Sequence, residues 1–211
     1  MKNKAFTLAE VLITLGIIGI VAAMTLPVLV QKQQKKEASS RLKKFVSTFS
    51  QAILFAENDY GPHAGWDMGD MNTYDSAMKF LDKYIKPYVK YIDIEKTITY
   101  NNMQGAKMRF LDGSVVYIAI GACYDIEYDY NGEKKPNELG KDIFRFLLCN
   151  SENACQIKPI FRSAYCETKE IYEKDYPRTR DKMLAQCKQN PARCSILLEN
   201  DNWEFKSDYP W

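Results

Sequence analysis

Histidine is nearly absent: His63 is the one histidine in 211 residues. Catalytic triads of the Ser–His–Asp or Cys–His kind would all depend on that single residue. No G-x-x-x-x-G-K-S/T loop occurs, so the backbone cradle of a P-loop nucleotide enzyme is missing. Net charge is also scarce, at a formal +2. That leaves no basic footprint for DNA or RNA, and no nucleic-acid partner is expected. Cysteine is missing from the first 122 residues, so no lipidation cysteine follows the N-terminal apolar run. This composition points away from an enzyme.

What is present is ordinary for a folded chain. Hydrophobic residues make up 46% and charged residues 27%, which excludes a disordered polymer. The length suits one domain with a real core plus an additional segment. Six cysteines, Cys123, Cys149, Cys155, Cys166, Cys187 and Cys194, all lie in the C-terminal half. An even set fits disulfides in an oxidising compartment. The alternative is a zinc site, but the C-x5-C and C-x6-C spacings exceed the C-x2–4-C pairs that zinc favours. Six cysteines permit about 15 pairings. Cys187–Cys194, which would close a small loop across Pro191, is the expected pair, and the partners of Cys123, Cys149, Cys155 and Cys166 stay open.

Residues 6–30 read FTLAEVLITLGIIGIVAAMTLPVLV. A helix needs about 20 predominantly apolar residues to cross a bilayer. A secretory signal would have a shorter apolar region followed by a small-x-small cut site. One charge interrupts the run. A carboxylate near the bilayer centre costs on the order of 3 kcal/mol, so Glu10 needs a partner and a purpose. None of its apolar neighbours supplies one.

The string KNKAFTLAEVLITLGIIG resembles the leader and N-terminal helix of type IV prepilins and type II secretion pseudopilins. That resemblance implies a basic leader, residues 1–5, cut between Ala5 and Phe6 by a prepilin peptidase. It implies N-methylation of Phe6, and a Glu10 that neutralises the N-terminal amine of a neighbouring subunit. The family usually has Gly before the cut, where this chain has Ala5. Losing residues 1–5 would remove Lys2 and Lys4 and leave a net charge of about zero. Implied partners are other copies of the chain and related pilins, the prepilin peptidase, the inner-membrane assembly platform and membrane lipid. The implied location is the inner membrane as a single-pass precursor with its head in the periplasm, and then a periplasmic or extracellular filament. Lys32, Lys35 and Lys36, beyond the apolar run, oppose that orientation by the positive-inside rule, whereas the cysteines favour it.

The expected fold is α+β. Residues 6–30 form a membrane and assembly helix, residues 31–60 an amphipathic continuation, and residues 61–211 a globular head. Leu42, Phe45, Val46, Phe49, Ala52, Ile53 and Ala56 recur at helical spacing, and Gly61–Pro62 ends the helix. Pro27 should kink or locally melt it. A second helix is expected over 75–90, capped by Asp75 or Ser76. Antiparallel strands are expected at 96–103, 108–111, 114–120, near 123–130 and at 142–149, with Asp112–Gly113 as a type I′ turn. Two or three short helices should fill 165–198. Trp203, Tyr209 and Trp211 either dock the tail onto the head or form a binding patch, and docking is the commoner use of such residues.

One loop suggests a metal. Glu127, Asp129 and Asn131 alternate before Gly132, and Glu138 follows six residues later, in partial register with an EF-hand loop. The segment DYNGEKKPNELGKDIF also resembles a loop common in pseudopilin-like heads. Major pseudopilins bind calcium in a head loop, which implies Asp129, Asn131 and Asp142 here. The alternative is a turn whose Asn and Asp satisfy their own backbone. No cofactor is required by the reading; calcium is the one suggested. A structural filament subunit is the leading function, with a minor or tip subunit whose head contacts a surface as the alternative.

Overall fold

The computed structural model describes residues 7–150, 161–163 and 179–211. The chain divides into two compact units, Met1–Glu37 and Ala38–Trp211. Helix α1 runs from Leu8 to Tyr60. It is continuous across Pro27, so the expected local melt does not occur. A proline removes one amide donor, and the flanking hydrogen-bond ladder carries the helix past it.

In the second unit, α1 buries Ala38, Leu42, Phe45, Phe49, Ala52, Ile53 and Ala56. These are the steps of three and four that keep one helical face against a core. The surface they meet is an antiparallel sheet in simple sequence order: β1 Tyr91–Ile98, β2 Gln104–Phe110, β3 Val115–Ile120, β4 Tyr124–Asp129, β5 Ile143–Leu148 and the short β6 Arg162–Ser163. Pairing Ile118 with Ile126, and Ile126 with Phe146, lines Val116, Ile118, Ile126, Tyr128, Phe144 and Phe146 along the buried face. Phe45 stacks on Tyr128 at 4.0 Å and meets Phe146 edge-on at 5.2 Å. Beside it, Arg41 Nη1 donates to the carbonyls of Asp112 at 3.0 Å and Tyr130 at 2.9 Å, tying the helix to two loops at once.

Turn chemistry shifts two expected elements. The β1–β2 connection folds back at Tyr100–Asn102, where Thr99 N–H donates to Met103 O and Asn102 has a φ of 58°. Residues 99–103 are therefore a hairpin loop, and β1 lies at Tyr91–Ile98. Asn tolerates the left-handed region, and here that preference outweighs the alternating pattern. The β2–β3 connection is a three-residue loop, Leu111–Gly113. Gly113 N–H donates to Phe110 O, Phe110 N–H donates to Ser114 O, and only Gly113 has positive φ, at 81°. That is a type I turn with a glycine bulge, in place of the expected type I′ turn.

Helix α2, Tyr74–Phe80, is capped by Thr73, whose hydroxyl accepts from Ser76 N–H at 3.3 Å. Asp75 instead sits in the first turn and pairs with Lys96 at 2.8 Å. The expected single helix over 75–90 changes pitch, with a π turn at Leu81–Ile85 and a 3₁₀ turn at Lys86–Tyr88. Pro87 cannot donate to the regular ladder, and the chain rewinds around it.

Two short helices, α3 Arg180–Gln189 and α4 Cys194–Asn200, complete the fold. Arg180 binds Asp201 and Asp208, which fastens the tail. Trp203 packs on Phe146 at 5.6 Å, and Tyr209 donates to Gly140 O at 2.6 Å, so the tail aromatics dock. Disulfides join Cys187 to Cys194 and Cys123 to Cys149. Cys123 precedes β4 and Cys149 follows β5, so the bridge ties the start of β4 to the end of its neighbour β5, next to the Tyr124–Leu148 pair. Cys155 and Cys166 lie outside the described residues.

Two measurements check this arrangement. Replacing Cys123 and Cys149 together by Ser should lower unfolding stability by about 3 kcal/mol in urea titrations, from the loop-closure entropy returned to the unfolded chain. An unchanged midpoint would mean that the sheet register alone holds that end. The second concerns Asp112. Burial pushes its carboxyl up, but hydrogen bonds from Lys44 and Ser114 outweigh this and hold it at about 2. A depressed carboxyl stabilises the fold above its unfolded value and loses that contribution as pH falls towards its folded value. The stability gap between the native chain and Asp112→Asn should be present at pH 7 and close between about pH 4 and pH 2.

Candidate assembly site at the helix N-terminus

From Leu8 to Val30, α1 buries no residue against its own chain. Leu8 is 78% exposed and Met24 72%. This is the one described helix long and apolar enough to cross a membrane. A Cβ added at Gly16 or Gly19 would meet nothing within 4 Å. Neither glycine is therefore required by packing within this chain. Small residues on an apolar helix allow a second helix to approach closely.

At the start of this helix the sequence places Thr7 three residues before Glu10. Thr7 N–H and Thr7 Oγ1–H both donate to Glu10 Oε2, each at 2.8 Å. In return, Glu10 N–H donates to Thr7 Oγ1 at 3.3 Å. This reciprocal set is a capping box, in which two amides without helical acceptors are satisfied by side chains. It supplies from within the chain a partner for Glu10 that the apolar neighbours cannot. Glu10 Oε1 has no hydrogen bond among the described residues. The T-x-x-E spacing ahead of an apolar run is a sequence signature of this cap, and Thr7 was legible on that basis. Ala5 and Phe6 lie outside the described residues.

The loop suggested for calcium has a different arrangement. Glu127 is buried and pairs with Arg145 at 2.8 Å. The buried Asp129 carboxylate accepts backbone N–H groups from Asn131 at 3.1 Å and from Gly132 and Glu133 at 2.9 Å each. Burial pushes its pKa up, against those three donors. Asp142 accepts from Asn137 N–H at 2.7 Å, Glu138 N–H at 2.6 Å and the Asn131 side-chain amide at 3.3 Å. Glu138 pairs with Lys141. Gly132 has a φ of 68°, and a Cβ there would fall 1.8 Å from Gly113 O, so the loop closes on the neighbouring hairpin with no room for a side chain.

Calcium takes six to eight oxygens converging on one point. Here the carboxylates face amide donors. Among the described residues, the buried side-chain acceptors of this region without a hydrogen-bond partner are Asn131 Oδ1, Asn137 Oδ1 and Glu127 Oε2. Among the described residues no group of three or more His, Cys, Asp or Glu could hold a metal. Glu127, Asp129, Asn131, Glu138 and Asp142 as arranged are a self-capped turn with a flanking ion pair, and they do not fit a calcium cage. Millimolar calcium should accordingly leave the thermal unfolding midpoint unchanged. A rise of several degrees, reversed by chelator, would mean that the loop rebuilds around the ion.

The single histidine is also committed. His63 is 7% exposed, and its Nδ1 meets Glu57 Oε1 just past the end of α1.

A model of the prokaryotic N-terminal methylation motif matches residues 1–26. A model of a family of unknown function, DUF6613, matches residues 28–211. No curated protein and no solved structure matches the chain.

Proposed function

Since the chain belongs to DUF6613 and carries the N-terminal methylation motif of type IV pilin-like proteins, we propose that it is a structural subunit of a pilus-like or secretion-type filament. On this reading the leader is cut between Ala5 and Phe6, Phe6 is methylated, and Glu10 neutralises the N-terminal amine of an adjacent copy. The precursor sits in the inner membrane with its head on the periplasmic side. Other copies of the chain, related pilins, the prepilin peptidase and an assembly platform are its partners.

The observation that carries the reading is the join of the motif to an apolar helix with no cover of its own. Residues 8–30 expose leucine, isoleucine and valine on every side. A helix that is apolar all round is stable only in lipid or among other helices. A carboxylate in such a segment is costly unless a cation meets it. The amine freed by cleavage is a cation at the right end of the chain. An enzymatic role has little support, because the one histidine is buried against Glu57.

Intact mass and N-terminal sequencing of membrane-extracted protein, from cells with and without the prepilin peptidase, test the processing. A chain starting at methylated Phe6, seen only with the peptidase, is expected. A chain starting at Met1 in both would reduce the protein to a membrane-anchored head.

A further inference from the structure

We propose that the hollow between α1 and the β2–β3 hairpin is a binding site for a small aromatic acid, its ring laid on a buried aromatic floor and its carboxylate held by Lys90. The site belongs to the second unit, Ala38–Trp211, and stands whether or not the chain assembles into filaments.

The hollow has a volume of about 330 Å³. That is the small end of ligand sites, which run from about 300 to 1,000 Å³. A cavity of about 150 Å³ holds benzene, so a two-ring body fits here and a nucleotide does not. The floor is Phe45, Phe49, Phe110 and Tyr128, all buried. Phe45 stacks on Tyr128 and lies 6.3 Å from Phe110 at a tilt of 59°. Rings set at such angles offer a further ring both edge and face contacts. The one polar atom among these four side chains, the Tyr128 hydroxyl, donates to Arg41 O at 3.4 Å. Water therefore finds few partners on this floor, and a bound ring recovers dispersion contacts that the open hollow forgoes. Leu111, 64% exposed on the rim, would be covered at the same time.

The rim selects the charge. Among the lining residues Asp112 carries the one carboxylate, and that carboxylate is spent. It accepts from Lys44 Nζ at 2.7 Å, from Ser114 Oγ at 2.6 Å and from Ser114 N–H at 3.1 Å. A cationic ligand would meet two ammonium groups and no unpaired anion. A sugar would bury its hydroxyls against a floor without acceptors. Lys90 is exposed beside the hollow, and its ammonium makes no ion pair or hydrogen bond among the described residues. Lys44 and Lys90 against Asp112 leave the rim one positive charge in excess, which a monoanion neutralises.

Calorimetry on the full chain in lipid nanodiscs, with empty nanodiscs as the blank, tests the site with naphthoate as the probe. One saturable site is expected, with a Kd on the order of 100 μM for a body of this size. The uncharged naphthalenemethanol should bind about five-fold more weakly, the scale of one exposed ion pair. Lys90→Gln should weaken naphthoate by the same factor and leave the alcohol unchanged. Thr48→Trp, at an exposed position on the rim, fills the hollow and should abolish binding. An unchanged thermal midpoint shows that each variant folds, and the comparison of acid with alcohol needs no variant at all. No saturable heat above the blank at millimolar naphthoate overturns the site. So does a Thr48→Trp chain that binds as the native chain does, because the probe then sits elsewhere. Equal affinity for acid and alcohol overturns the anionic class and the role of Lys90. Tighter binding of decanoate than of naphthoate overturns the aromatic class. An affinity that falls as the chain is concentrated gives the hollow to a second copy and overturns the small-ligand assignment.

Discussion

A single hydrogen-bonded helix has to be stable in two kinds of surroundings, and the rest of the molecule is arranged around that constraint. From Leu8 to Val30, α1 exposes apolar side chains over its whole circumference. From Ala38 to Ala56 the same helix buries one stripe and leaves the others to water. Within the second unit the sheet presents its apolar face to that stripe. The strands do this through strict antiparallel pairing in chain order, which keeps Tyr128 and Phe146 on the side that Phe45 reaches. Arg41 then fixes the helix to two loop carbonyls, which is a polar check on the same register.

The opposite face of the sheet carries the charged residues, and there the hydrogen-bond accounting is dominated by backbone. Asp129 and Asp142 each collect amide donors from the loop between β4 and β5. A buried carboxylate is tolerable when such donors converge on it. The composition that suggested a cation is the same composition that satisfies a tight loop without one. Sequence spacing cannot separate these two uses, because both need Asp, Asn and Gly at short intervals. What separates them is the direction in which the oxygens point.

Elements defined by local periodicity were legible from sequence. The buried stripe of α1, the strands β3 to β5 and the Cys187–Cys194 bridge across Pro191 follow from residues near one another in the chain. The strand β1 was displaced because Asn101 and Asn102 read as polar positions of an alternating strand, while their turn preference decided the outcome. Thr73, Asp75 and Ser76 are all competent N-caps, and nothing local chooses among them. Pairing of Cys123 with Cys149 depends on Tyr124 lying opposite Leu148, a long-range register that spacing does not encode. At the candidate site, Glu10 stood out as a lone charge. Thr7 carries a signal only together with Glu10 three residues on, because a lone threonine at the edge of an apolar run has no distinguishing chemistry.

The capping box changes what the carboxylate contributes thermodynamically. An ionised side chain in hydrocarbon, with no partner, would penalise the inserted subunit and favour its neutral form. Two donors on one oxygen reduce that penalty without removing the charge. On the filament reading, what remains of that penalty is met by the amine of a neighbouring copy. Bringing an amine to the carboxylate would satisfy both ions in a low-dielectric setting, where a well-placed pair gains most and a misplaced one loses most. Assembly through such a contact, as proposed, would be selective for one stagger between subunits, because a shift of a single helical turn would strand both charges. On that reading the apolar surface of α1 would supply adhesion in any register, and the polar pair at its end would supply the register.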